Sequence, residues 1–179
     1  MVTPSEYPTL ASLEFIPYLT EEGKIAESWH KKIGVYAIFD QQKTLQLVNY
    51  SRDIEVSLKQ HLVRKPFNCY WLKIQTIDRP IRTILEEIKQ AWLMENGAIP
   101  LGNDEEEGAW NNPIDAKFTL TEEEQEAYQK QDDLGKIKLL KKVARRLEAE
   151  ILKQLEQRGV TLDMRFNPKL KEQGLLDLK

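Results

Sequence analysis

Six cations fall within residues 136–146: Lys136, Lys138, Lys141, Lys142, Arg145 and Arg146. Such a cluster can bind phosphates, an anionic membrane surface or an acidic protein. Glu148, Glu150 and Glu156 follow on the same segment, and no aromatic residue interleaves for base stacking. A solvated helix face is therefore the simpler reading. Where the segment meets a partner, Lys138, Lys141, Lys142, Arg145 and Arg146 are the expected contacts. His30 lies in a charged stretch and His61 beside the apolar stripe Ile54, Leu58 and Leu62. Neither has a second His, Cys or carboxylate at metal-ligand spacing, so both read as structural or surface residues. Cys69, the single cysteine, lies among Phe67, Tyr70 and Trp71 and reads as a buried, inert thiol in a strand. It excludes an intramolecular disulfide and a cysteine-based zinc cluster. Tyr36 and Glu87, taken alone, read as polar residues satisfied in or beside a core. No Gly-rich phosphate loop or nucleophile elbow occurs.

The elements that must position these groups are set in a chain of 179 residues, 41% hydrophobic and 31% charged, with a net charge of -3. That composition supports a real core and exerts no global pull on nucleic acid. By segment the charge is uneven. Residues 1–103 carry 12 basic and 12 acidic side chains, residues 104–135 carry 2 and 11, and residues 136–179 carry 12 and 6. An acidic connector (104–135) thus separates a neutral body from a basic C-terminal region (136–179). Apolar runs are too short for a membrane-spanning helix. Pro4, Glu6 and Pro8 stand where a leader would be charged and then apolar, so no signal peptide is expected. Together these features point to a soluble protein of a reducing, cytoplasmic compartment.

The body reads as α+β. Ile33–Phe39 (IGVYAIF) is a nearly continuous apolar run, expected as a strand buried on both faces. Residues 40–43 form a polar turn, and Leu45–Tyr50 completes a hairpin. Ser51 is the expected cap of a helix with Ile54, Leu58 and Leu62 on one face, ended by Pro66. Phe67–Ile77 reads as a third strand. Asp78 and Pro80 are expected to open a helix whose face is Ile81, Ile84, Leu85, Ile88 and Trp92, with Gly97 as its stop. Thr121 and Glu124 predict a capping box. A long helix is expected over 136–157, with an apolar stripe of Leu140, Val143, Ala144, Leu147, Ile151 and Leu155 and a stop at Arg158-Gly159. Asn167-Pro168 turns a leucine-bearing tail.

Strand, strand, helix, strand, helix, with Gly34-Val35-Tyr36 on the first strand, Leu47-Val48-Asn49 on the second, Ser51-Arg52-Asp53-Ile54, a helix ending near His61, and Pro100-Leu101-Gly102-Asn103, resembles the GIY-YIG superfamily. The resemblance covers residues 33–103, leaving residues 1–32 as an N-terminal extension. It is closest to the cyanobacterial and chloroplast branch, which includes a domain fused to plant monothiol glutaredoxin and a chloroplast photosystem I assembly factor. In active members the resemblance implies metal-dependent cleavage of a DNA phosphodiester. One tyrosine orients or deprotonates water, a second supports it, an arginine stabilises charge and a glutamate holds a divalent metal.

Carried onto this chain, Tyr36 matches the first tyrosine and Glu87 the metal ligand, with Glu86 as the alternative. Leu47 stands at the second tyrosine and cannot hydrogen-bond. Ser57 stands at the arginine and offers no fork for phosphate oxygens. Losing one such charge-stabilising group costs about a hundredfold or more in rate. Alternation points Tyr50 away from the face of Leu47. Arg52, about 140° around the helix from Ser57, serves only as a displaced counter-charge. The resemblance therefore implies a non-catalytic scaffold or binding protein, with a role in assembling a photosynthetic complex such as photosystem I. It implies a protein partner, a place peripheral to the thylakoid membrane and no cofactor. The alternatives are a weak nuclease using Tyr36, Arg52, Glu87 and magnesium, or a non-catalytic nucleic-acid binder using the basic helix.

Overall fold

The apolar run Ile33–Phe39 is a strand, as its pattern predicts, in a computed structural model that describes residues 6–179. Residues 1–5, which include Pro4 and the start of the expected extension, lie outside the described residues. In chain order the first compact unit, ending at Asn111, comprises β1 (Ile16–Pro17), β2 (Ile33–Phe39), β3 (Leu45–Ser51), α1 (Ile54–Arg64), β4 (Trp71–Ile77), α2 (Arg82–Asn96) and α3 (Glu107–Asn111). The strands form one antiparallel sheet in the order β1-β4-β2-β3. The α+β class and the strand–strand–helix–strand–helix order are as the sequence indicates.

Register decides which side chains share a face. Val35, Ala37 and Phe39 alternate with Tyr36 and Ile38, so they point to opposite sides. Val35, Ala37, Phe39, Leu45 and Val48 pack with Leu85, Ile88 and Trp92 of α2. A register shift between Ile38 and Phe39 places Leu45 and Val48 on that side together. The other side carries Tyr36 and meets Leu58, His61 and Leu62 of α1, the buried stripe of that helix.

Local signals mislead at three points. Ser51 stays in β3, paired with Gly34, and Asp53 caps α1 instead by accepting from the Val56 amide. The carboxylate also accepts from Lys31 N at 3.1 Å, two amides that one hydroxyl could not serve as well. The third strand begins only at Trp71, because the chain turns at Asn68, whose N–H reaches the Lys65 carbonyl. Cys69 therefore precedes the strand, though it is buried as expected. Helix α2 starts at Arg82 after an uncapped Ile81, leaving Asp78 and Pro80 in the turn before it. Gly97, at φ 85°, ends it as predicted.

Residues read as an N-terminal extension are fastened into the first unit. β1 adds the fourth strand, Leu10 and Tyr18 are buried, and the Tyr18 hydroxyl donates to the Leu58 carbonyl at 2.5 Å. Glu95 accepts from the amides of Leu10 and Ala11, and Lys73 Nζ donates to the Leu10 carbonyl at 2.9 Å while lying over the Phe15 ring.

Gly34 is held to its identity by close approach. A Cβ there would sit against the Gln75 carbonyl oxygen and 2.8 Å from Thr76 Cα, both main-chain atoms that cannot swing aside. Gly34→Ala is expected to lower stability by about 1–3 kcal/mol, seen as a lower urea midpoint at unchanged m value.

The second unit, from Asn112, comprises β5 (Ile114–Asp115), α4 (Glu122–Lys130), α5 (Asp133–Gln157), α6 (Pro168–Lys171) and β6 (Leu175–Leu176). Thr121 and Glu124 form the predicted capping box. α5 begins at Asp133, earlier than its apolar stripe indicates, because Asp132 accepts from the Gly135 amide. It ends where expected, with Gly159 at φ 81°. Leu140, Val143, Ala144, Ile151 and Leu155 are buried, and β6 returns to pair with β5. The segment 104–135 is thus shared, with Trp110 buried in the first unit and Ala116 in the second. Among the described residues no helix is long and apolar enough to cross a membrane.

Candidate functional site

β2 carries Tyr36 into a sealed cluster. Its hydroxyl lies 2.7 Å from His61 Nε2, and His61 Nδ1 lies 2.9 Å from the Trp110 carbonyl. A carbonyl only accepts, so the proton is assigned to Nδ1 and the tyrosine donates to Nε2. Arg64 Nη1 donates to the same carbonyl at 2.9 Å. Tyr36 is 1% and Trp110 0% exposed. Burial holds the Tyr36 phenol well above its ordinary pKa, partly opposed by the Ser57 hydroxyl and the Arg64 charge. Burial, reinforced by the same guanidinium and partly opposed by the Trp110 carbonyl, lowers His61 to about 3. Both groups are therefore neutral at ordinary pH.

Ser57, at the position the resemblance assigns to an arginine, shares a 2.6 Å hydrogen bond with Ser51. Leu47, at the second tyrosine, is fully buried on the same side of the sheet as Tyr36. The Tyr36 hydroxyl is enclosed by these groups, and neither Ser57 nor Leu47 brings a positive charge to it.

The opposite face gathers different residues. Tyr50 points with Val48 toward α2, as alternation predicts, on the side of the sheet that faces Glu86. The Gln90 amide donates to Glu86 Oε1 at 2.9 Å, and this contact, with smaller contributions from Tyr50, Lys89 and Arg82, keeps the carboxyl below its usual range. Arg52 and Arg82 line a shallow pocket with Tyr50 and Leu85. Glu87 is exposed on α2. The sheet therefore lies between Tyr36 and the helix that bears both Glu86 and Glu87. Among the described residues no three His, Cys, Asp or Glu side chains are grouped to hold a metal. Tyr36, Arg52 and Glu87 do not fit together around one cation.

The basic helix divides by partner. Arg146 makes a bidentate pair with Glu124 at 2.9 and 3.0 Å and donates to the Thr119 carbonyl, so it braces α4 against α5. Lys138 and Lys142 are exposed, whereas Lys141 and Arg145 line a pocket with residues of α6 and the turn after it.

Two participants are absent from the sequence-based site: His61 as the partner of Tyr36, and Trp110 as the lid. His61 lies seven residues after Ile54, on the inner face of α1, a spacing that marks it as a core histidine. Trp110, a lone tryptophan inside an acidic stretch, is the signal that this stretch is anchored rather than wholly solvated.

The fold and cluster define an α+β unit whose one conspicuous tyrosine is structurally committed. No family model matches the chain. Over 103 residues, 55% of its length, the chain is 32% identical to the protein named bifunctional monothiol glutaredoxin-S16, chloroplastic, of Arabidopsis thaliana. It spans 33% of that relative.

Proposed function

We propose that the first unit is a GIY-YIG-like frame retained as a non-catalytic scaffold, and that the basic C-terminal unit makes its protein contacts. The observation carrying this reading is the Tyr36 hydroxyl, donated to His61 inside a closed cluster, on the face of the sheet opposite Glu87. The likeness to part of a chloroplast protein supports a plastid setting. Its most specific form is a factor in assembling a photosynthetic complex such as photosystem I, peripheral to the thylakoid membrane, and this form rests on the resemblance of residues 33–103.

The test is incubation of the full chain with supercoiled plasmid and branched DNA in magnesium or manganese. No metal-dependent cleavage above background is expected. Cleavage abolished by Tyr36→Phe or by Glu87→Gln would overturn the reading. For the binding half, a tagged chain should recover a reproducible partner from thylakoid extract, and the exposed pair Lys138→Glu with Lys142→Glu should reduce that recovery. Unchanged recovery would remove the basic helix as the contact surface.

A further inference from the structure

α5 and α6 bring five charged side chains to one pocket within the second unit. Lys141 and Arg145 come from α5, one turn apart, and Lys169, Lys171 and Glu172 follow Pro168, which supplies an apolar wall. Two of the four cations are already positioned by carboxylates. Lys171 Nζ is 2.6 Å from Glu148 and its side chain is 16% exposed, and Lys141 Nζ is 3.4 Å from Glu172. Among the described residues the side chains of Arg145 and Lys169 make no ion pair. Four cations set against Glu148 and Glu172 leave a net charge of +2 around a concave site.

That residue of charge selects a ligand class. A carboxylate would cancel half of it. A nucleic-acid backbone carries one charge per phosphate, and binding it calls for a track of cations rather than one pocket. A phosphomonoester carries about -1.5 to -2 at pH 7 on three acceptor oxygens. Arg145 offers a planar fork and the lysines offer point charges, two of them held in place before the ligand arrives. We propose that the pocket formed by Lys141, Arg145, Lys169 and Lys171 binds a phosphomonoester group, either a free one or a lipid headgroup.

The inference goes beyond the protein contacts proposed for the basic unit by adding a phosphate ligand at one pocket of it. It can fail independently of the scaffold reading, because the DNA-cleavage test interrogates residues of the other unit.

The experiment uses the full chain at low ionic strength and follows amide NMR shifts on titration with inorganic phosphate and with glycerol phosphate. A second arm measures sedimentation with phosphatidylcholine vesicles containing or lacking phosphatidic acid. Saturable shifts confined to residues 141–145 and 168–172 are expected at pH 7.5. They should weaken several-fold at pH 5, where the dianion has taken up one proton, at a pKa of about 6, and carries a single charge. Arg145→Ala with Lys169→Ala should weaken binding about tenfold, two exposed charge contacts being lost. Lys130→Ala with Lys153→Ala removes the same charge from the same unit outside the pocket, and should change it by less than about twofold. Binding to phosphatidic acid vesicles alone, with the same sensitivity to the pocket pair, assigns the group to a lipid; binding of the soluble esters assigns it to a free phosphate. Absence of saturable binding in both arms, or equal losses from the two double variants, would overturn the proposal.

Discussion

Trp110→Ala is expected to destabilise the first unit by about 3–5 kcal/mol, the range for deleting a large, fully buried aromatic side chain. Trp110 is 0% exposed and its ring lies 5.7 Å from that of His61. Its helix, α3, has five residues, far too few to persist without a tertiary anchor. Losing the indole therefore releases the carbonyl that receives both His61 and Arg64, and the lid over Tyr36 goes with it. Amide exchange of β2 reports this unit alone and measures the change directly. Trp110→Phe, which keeps most of the buried area, should recover more than half of the loss. A cost below about 1 kcal/mol for Trp110→Ala would show that residues 104–111 merely lie on the surface, as for an exposed side chain.

The second large effect is a dependence on pH. Burial, followed by the Arg64 charge, lowers His61 to about 3 in the folded chain, against about 6.5 for an unperturbed histidine. Between those values the unfolded chain binds the extra proton, so stability is complete above about pH 6.5 and is lost as the pH falls through this window. The slope approaches about 1.4 kcal/mol per pH unit once the unfolded histidine is charged. Glu86 and Glu124 have lowered values, so their contributions are present above the ordinary carboxylate value of 4.5 and fall away only below it. The interval from about pH 5 to 6 consequently isolates His61. Urea titrations across that interval should show the slope in the parent chain and a nearly flat response in His61→Gln, whose amide can still accept from Tyr36 and donate to the Trp110 carbonyl. Equal slopes in both would mean that His61 carries its proton in the folded state.

Both effects depend on contacts that are invisible along the chain. Tyr36 stands out in the sequence, yet its partner lies twenty-five residues away and the carbonyl behind that partner forty-nine residues further on. What could be read directly was negative: Leu47 cannot hydrogen-bond and Ser57 cannot grip a phosphate, whatever surrounds them. Alternation also set Tyr50 against Leu47 correctly, because pleat geometry is local. The different surroundings of Glu86 and Glu87 are visible only in the structure. One turn of α2 offers both carboxylates, and packing makes Glu86 the partner of Gln90 while Glu87 faces solvent.

The same division holds for the fold. β2, β3, α1, α2, α4 and α5 follow from periodicity, and Thr121, Gly97 and Gly159 mark ends through interactions within a few residues. β1 leaves no such mark, since two residues of strand exist only because β4 offers Ile16 and Pro17 an edge. Arg145 and Arg146 are neighbours of identical type, yet Arg146 is committed to Glu124 and Arg145 opens onto the pocket beside Lys169. Composition and spacing settled the class of the fold and its element order. Only tertiary packing decided which polar groups are enclosed and which charges remain unpaired, because burial and ion pairing join residues far apart in the chain, where local spacing carries no information.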